Sequence, residues 1–355
     1  MRSTFQAVPA KDSWCLFRRR WLGVLVRSSI VGAGAAGDAS VARRGCPVHR
    51  LDGMRGLLLA AALGLVAAAG CGRPRRVAWP ERGEMVATGL KFTEGPAWSP
   101  DGFLVFSDIP ANRIYRYDPG RKPDVYREPS HNSNGLAFDA KGRLLACEHG
   151  ARRVSRTEAD GSATVLADRY QGKRLNSPND LTLHSDGSVY FTDPPYGVKA
   201  ADRELEFQGV YRIAPDGSLS LLVRDMDRPN GIALSPDERR LYVDDSKAKL
   251  VRVFDVQRDG SLGPPRVLID LGRYGTRGLD GMKVDAEGNL YVTGTDGVFV
   301  VSPRGTLLAK LQCPGQCTNC CFAGPHRRSL FVTARTPTGG SLYHLHNPIP
   351  APHPH

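Results

Sequence analysis

Six segments of the chain align on one another: EGPAWSPDGFLVFSD (94–108), NGLAFDAKGRLLACE (134–148), NDLTLHSDGSVYFTD (179–193), NGIALSPDERRLYVDD (230–245), DGMKVDAEGNLYVTG (280–294) and NCCFAGPHRRSLFVTA (319–334). Their starts lie 40, 45, 51, 50 and 39 residues apart, a period that marks a repeat architecture. Each opens on a polar residue, runs through a short apolar stretch, reverses at a turn such as Pro-Asp-Gly or Ala-Glu-Gly, and returns through Leu, Val, Phe or Tyr. Turn formers between pleat formers predict a β-hairpin. Two more strands follow in five of the units, for example Arg113–Asp118 with Asp124–Arg127 and Gly297–Ser302 with Thr306–Lys310. A helical solenoid would show a 3.6-residue period, and none is present.

Four strands every 40 to 50 residues is the repeat of a propeller blade. The sixth unit falls one strand short, ending with Ser341–Leu345, while Glu84–Leu90 ahead of the first unit lacks a partner of its own. The expected fold is therefore all-β, a six-bladed β-propeller with four antiparallel strands per blade, the last blade closed by the N-terminal strand near residues 84–90. It forms one domain over residues 84–347, followed by a disordered tail at 348–355. Closure leaves each blade only short, protected edges.

Composition agrees with a folded soluble domain: 355 residues, 41% hydrophobic and 24% charged. The net charge of +12 suggests a nucleic-acid partner only until it is located. Residues 1–78 hold 13 Lys+Arg against 3 Asp+Glu, so the remaining 35 basic and 33 acidic residues nearly cancel. The folded body carries no expected nucleic-acid surface.

Within that basic leader, Met54-Arg55, the apolar run Leu57–Ala69 and Gly70-Cys71 make a secretory signal, residues 54–71, too short to span a bilayer comfortably. The segment AAGC (68–71) resembles a bacterial lipoprotein cleavage box, which would lipidate Cys71 and tether an exported, periplasmic protein. An uncleaved anchor and plain secretion are the other outcomes. Residues 72–83 read as a linker. Residues 1–53 are Arg-, Ala- and Gly-rich without periodicity, and translation is expected to begin at Met54.

The residues that open the repeats carry the chemistry: Glu94, Asn134, Asn179, Asn230, Asp280 and Asn319, all with a side-chain oxygen. The first strand of a propeller blade is innermost, so these six converge at one mouth of the channel. Two carboxylates there repel unless a cation compensates them, and amide oxygens add ligands without charge. Such a set suits a hard divalent ion, Ca²⁺ first, then Mg²⁺ or Mn²⁺; Zn²⁺ more often wants His or Cys.

EGP (94–96), LNSPNDLTLHSDGSVYFTDPPYG (175–197), RPNGIALSPDERRLYVDDS (228–246), GLDGMKVDAEGNLYVTG (278–294) and CCFAG (320–324) together resemble the gluconolactonase family, also called the SMP-30/regucalcin-like family, over residues 85–345. The resemblance implies a six-bladed propeller, a channel divalent metal and hydrolysis of a sugar lactone. Carried over by motif, Glu94, Asn179, Asn230 and Asp280 are the implied metal ligands. Vertebrate members place an Arg two residues before the third-blade Asn, where this chain has Ser177. Pro194–Tyr196 and a 14-residue insert before Gly209 are expected to shape the rim.

The expected reaction is metal-assisted hydrolysis of a small lactone or ester, with Asp280 as first choice for general base and Asp180 and Glu148 in reserve. Asn134, His149, Asp180 and Asn319 are candidate substrate-binding residues. Aryl-ester or phosphotriester hydrolysis on the same scaffold, and a non-catalytic ligand-binding propeller, are the rival readings, since fold alone does not decide function.

Cys313, Cys317, Cys320 and Cys321 form one cluster where a zinc ribbon needs two, so Cys320 and Cys321 are expected as small buried strand residues. A Cys313–Cys317 disulfide fits an exported protein. No G-x-S-x-G elbow, P-loop or Rossmann fingerprint stands in the required context.

Overall fold

The turn glycines reverse the chain where the hairpins require it; Gly102, for instance, donates its N–H to the Ser99 carbonyl at 3.0 Å and sits at φ +89°, a conformation open to glycine at little cost. The computed structural model describes residues 83–346. Six four-stranded antiparallel sheets follow in chain order, and together they form a six-bladed β-propeller. The first comprises Thr93–Trp98, Leu104–Asp108, Arg113–Tyr117 and Asp124–Arg127. The next four repeat that order, with inner strands Ser133–Phe138, Leu181–Leu183, Pro229–Leu234 and Leu279–Val284. The sixth blade uses Gln316–Ala323, Ser329–Thr336 and Gly339–His346, and its fourth strand is Glu84–Leu90. Glu84 pairs with His344 and Met85 with Tyr343, so the strand ahead of the first blade closes the ring.

Apolar alternation on the strands packs each blade against the next. One buried cluster fills each of the six interfaces, from Val105 against Leu136 and Leu145 against Phe191 round to Tyr291 against Phe322 and Phe106 against Phe331. Cys320 and Cys321 sit on opposite faces of the sixth inner strand, one in each flanking cluster. Cys313 and Cys317 are buried free thiols hydrogen-bonded to each other, in place of the expected disulfide.

Two local devices bring the inner strands close enough to make one channel. In five blades the pairing of the inner strand slips at the residue that opens the repeat, between Glu94 and Ala97, Ser133 and Leu136, Pro229 and Ile232, Leu279 and Met282, and Cys317 and Asn319. Such a bulge re-aims a side chain. The glycine that follows is then a contact point rather than a turn. A Cβ on Gly231 would stand 2.4 Å from the Asp280 carbonyl oxygen, and one on Gly95 2.0 Å from that of Asn134. Hydroxyls on the second strands complete the junction: Ser107 donates to the Asn134 carbonyl at 2.8 Å and Thr192 to the Asn230 carbonyl at 2.7 Å.

The third blade departs from the pattern. Its inner strand begins at Leu181, not Asn179. Asp180 occupies the place glycine holds in four other blades. Asn179 and Asp180 are instead tied to the second strand through the Thr192 carbonyl and amide, at 2.8 and 3.1 Å. The proposed leader, residues 1–53, the signal 54–71 with Cys71, most of the linker 72–83, and the tail 348–355 lie outside the described residues. No helix among the described residues is long and apolar enough to cross a membrane.

Candidate functional site

Glu94, Asn134, Asn179, Asn230 and Asp280 line one cavity of about 440 Å³ at the channel mouth. His149, Tyr196, Arg228, Ser246 and Gln316 share its wall, with Phe92, Ile109 and Leu279 supplying apolar surface. All four residues implied as metal ligands thus face the same space, and so do Asn134 and His149.

Glu94 and Asp280 hydrogen-bond to each other, and Asp280 is also bonded to the Asn230 side chain. Glu94 further accepts the Gly95 N–H at 2.8 Å. Burial is the main force on both acids: it pushes the Glu94 carboxyl up to about 7, with repulsion from Asp180 adding to it, and it holds that of Asp280 well above the usual carboxylate range, with repulsion from Glu94 adding to it. Asp244, behind Asp280, strengthens the repulsion. Asn179 Oδ1 receives Asn134 Nδ2 at 2.5 Å, whereas Asn134 Oδ1 is buried with no partner. His149 Nε2 lies 3.3 Å from Asn134 Nδ2, and burial lowers its pKa to about 4, so the ring is neutral at pH 7.

Two candidates lie elsewhere. Asp180 and Asn319 are not on the cavity wall but directly beneath it; they sit buried together in the channel, Asn319 Nδ2 3.2 Å from Asp180 Oδ2, and Asn319 also hydrogen-bonds to the Glu94 side chain. Lys283 reaches the same oxygen at 3.5 Å. The Lys283 ammonium is thus taken up by Asp180, whose charge still bears on Glu94, and among the described residues no ion pair joins Glu94 or Asp280 to a cation. Glu148, held in reserve as a base, is spent on structure: it takes Arg127 at 2.8 Å, Arg153 at 2.6 Å and Ser155 Oγ at 2.6 Å.

Two mutually repelling carboxylates, amide oxygens beside them and a buried unpartnered Asn oxygen make a donor set that fits a hard divalent cation. Among the described residues no group of three His, Cys, Asp or Glu forms a site of its own. The donors here are mixed carboxylate and amide.

Motif reading passed over Lys283, Arg228, Ser246 and Gln316. Lys283 is three residues beyond Asp280, and strict alternation would place the two on opposite faces; the bulge puts both toward the channel. Arg228 and Ser246 stand at the two ends of the 228–246 motif and have no counterpart in the repeat that opens on Asn230.

A family model described as the SMP-30/Gluconolactonase/LRE-like region matches residues 92–336. The gluconolactonase of Zymomonas mobilis is 36% identical over 279 residues, covering 71% of this chain and 78% of that protein. A solved gluconolactonase structure from Xanthomonas campestris shares 38% identity with a TM-score of 0.66, covering 74% of this chain and 88% of that one. A calcium-binding regucalcin from Agrobacterium tumefaciens, at 22% identity, has the same fold, with a TM-score of 0.65 over 78% of this chain and 100% of its own. The match over residues 92–336 and the 36% identity to the Zymomonas protein, on the same propeller fold, decide the family: the chain belongs to the SMP-30/gluconolactonase/LRE-like family.

Proposed function

We propose that the cavity hydrolyses a lactone, with sugar lactones as the substrate class and a divalent cation held by Glu94, Asn179, Asn230 and Asp280. The observation that carries this is the contact between two buried carboxylates, flanked by amide oxygens, on the wall of a cavity large enough for a six-membered ring and its substituents. The Zymomonas and Xanthomonas relatives, both named gluconolactonases, support it. A divalent cation, Ca²⁺ first and Mg²⁺ or Mn²⁺ behind it, supplies Lewis-acid polarisation of the lactone carbonyl when bound.

The chain's own groups do the rest. Asp280 accepts the proton of the attacking water on a carboxylate oxygen while the water oxygen bonds to the carbonyl carbon. The ring carbon–oxygen bond then breaks, the ring oxygen takes back the proton held on Asp280 and leaves as a hydroxyl, and a hydroxy acid results with Asp280 restored. Neutral His149, beside Asn134, serves as a hydrogen-bonding wall rather than a charge. A strained cyclic ester needs no covalent nucleophile.

A panel of glucono-1,5-lactone, an aryl ester and a phosphotriester, assayed with and without EDTA alongside metal analysis of the native protein, tests the reading. Lactone turnover lost to EDTA and restored by Ca²⁺ is expected. Preference for the aryl ester or phosphotriester would change the substrate class, and bound metal with no turnover would leave a binding module. We infer export and a lipid tether from the apolar run Leu57–Ala69 and the AAGC box. Palmitate labelling abolished by Cys71→Ser checks that inference.

A further inference from the structure

Arg228 is the one Lys or Arg side chain that lines the cavity. Its position in the blade is that of Ser177 in the preceding one, two residues ahead of the channel Asn. The backbone there is left-handed, φ +68°, which a long side chain rarely adopts. Two bonds pin it: the Arg228 N–H donates to Gln208 Oε1 at 2.8 Å, and its carbonyl accepts the Ser246 N–H at 3.0 Å. The guanidinium lies 5.7 Å from the centre of the Tyr196 ring. Tyr196 is held in turn by hydrogen bonds to Ser246 and Asn230.

Gln208 and Tyr196 both belong to the segment between the second and third strands of the third blade, where the insert lies. That insert therefore orients one arginine over the cavity. Asp227 next door is hydrogen-bonded to Lys247 and Gln208, and its pull on Arg228 is the weaker one. Strained backbone over-determined by its surroundings is characteristic of functional positions, and a guanidinium offers a planar array of donors. Every other charged group on the wall is an acid.

We propose that Arg228 is a specificity-determining residue: it donates parallel hydrogen bonds to the oxygen substituents of a polyhydroxylated lactone and thereby selects sugar lactones over unsubstituted ones. This rests on the lactonase reading. The test compares kcat/KM for glucono-1,5-lactone and δ-valerolactone, with Ca²⁺ in the buffer, in the wild type, Arg228→Met and Arg228→Lys. The ratio of the two values is expected to fall about 10- to 100-fold in Arg228→Met, the worth of a charge-assisted hydrogen-bonded pair. Arg228→Lys, which keeps the charge and loses the fork, recovers only part of it. A ratio unmoved in both variants, with the wild type active, overturns the assignment alone. A wild type inert toward both lactones overturns the hydrolase reading and this inference with it.

Discussion

The same six inner strands end in two chemically opposite mouths. At one, Glu94, Asn134, Asn179, Asn230 and Asp280 face a cavity of about 440 Å³. Four residues further along each of those strands stand Trp98, Phe138, Leu183, Leu234 and Val284, which line a smaller cavity of about 250 Å³ at the other. Between the two, Asp180 and Lys283 form an ion pair. The blade repeat is thus symmetric around the axis and polarised along it. Packing is shared by both ends, whereas buried, repelling acids are gathered at one, and it is this concentration rather than the fold that sets the proposed catalytic end apart.

The sharpest way to break the comparison is at Asp280. Asp280→Ala is expected to lower kcat/KM for glucono-1,5-lactone by about 10²- to 10⁴-fold and to leave the thermal transition in place; unchanged turnover would remove the mechanism. Gly231→Ala is expected to damage both fold and site. Its Cβ meets the Asp280 carbonyl at 2.4 Å and Met282 N at 2.8 Å, backbone that cannot swing away. A loss of about 1–3 kcal/mol by denaturant unfolding, with reduced turnover, is the expected cost of that overpacking.

Asp193 tests the burial of acids beside the polar mouth through pH. Burial raises its carboxyl from 3.8 to about 7 in the fold. The native state therefore prefers it protonated, so its favourable contribution is full below about pH 3.8 and is lost as pH rises through about 7. Asp193→Asn should flatten the decline of stability across that window; an unaltered slope would place the titration elsewhere. The smallest effect belongs to the other mouth. His184 sits there between Asp186 and Glu238 at 3.0 and 3.5 Å. His184→Gln is expected to cost less than about 1 kcal/mol and to leave kcat/KM within about twofold; a large loss of turnover would mean that both mouths take part.

The sequence displayed the blades because each carries its own apolar alternation and turn, and the unpaired Glu84–Leu90 announced the closure. The four ligand candidates were legible for the same reason: they share one register. What stayed hidden depends on contacts between blades. Gly95 and Gly231 carry no signal of their own in the repeat, yet they are points where neighbouring backbones touch. Asp180 followed a channel Asn and read as a reserve base, but its glycine-equivalent place turns it to Lys283. Glu148 ended a strand like its counterparts, and only the fold shows Arg127 and Arg153 closing on it.

The seam of the ring has a temporal side. Thr93 Oγ1 donates to the Ser341 carbonyl, 248 residues away in sequence, and Glu84–Leu90 pairs only with Gly339–His346. Of the described strands, the first to leave the ribosome thus waits for the last. Until residue 346 has been made, five complete blades stand beside an unfinished sixth, their terminal faces uncovered. Contacts of such separation fold slowly and expose apolar surface meanwhile. Synthesis of this molecule is therefore open-ended until its final turn, when one pairing event seals the circle.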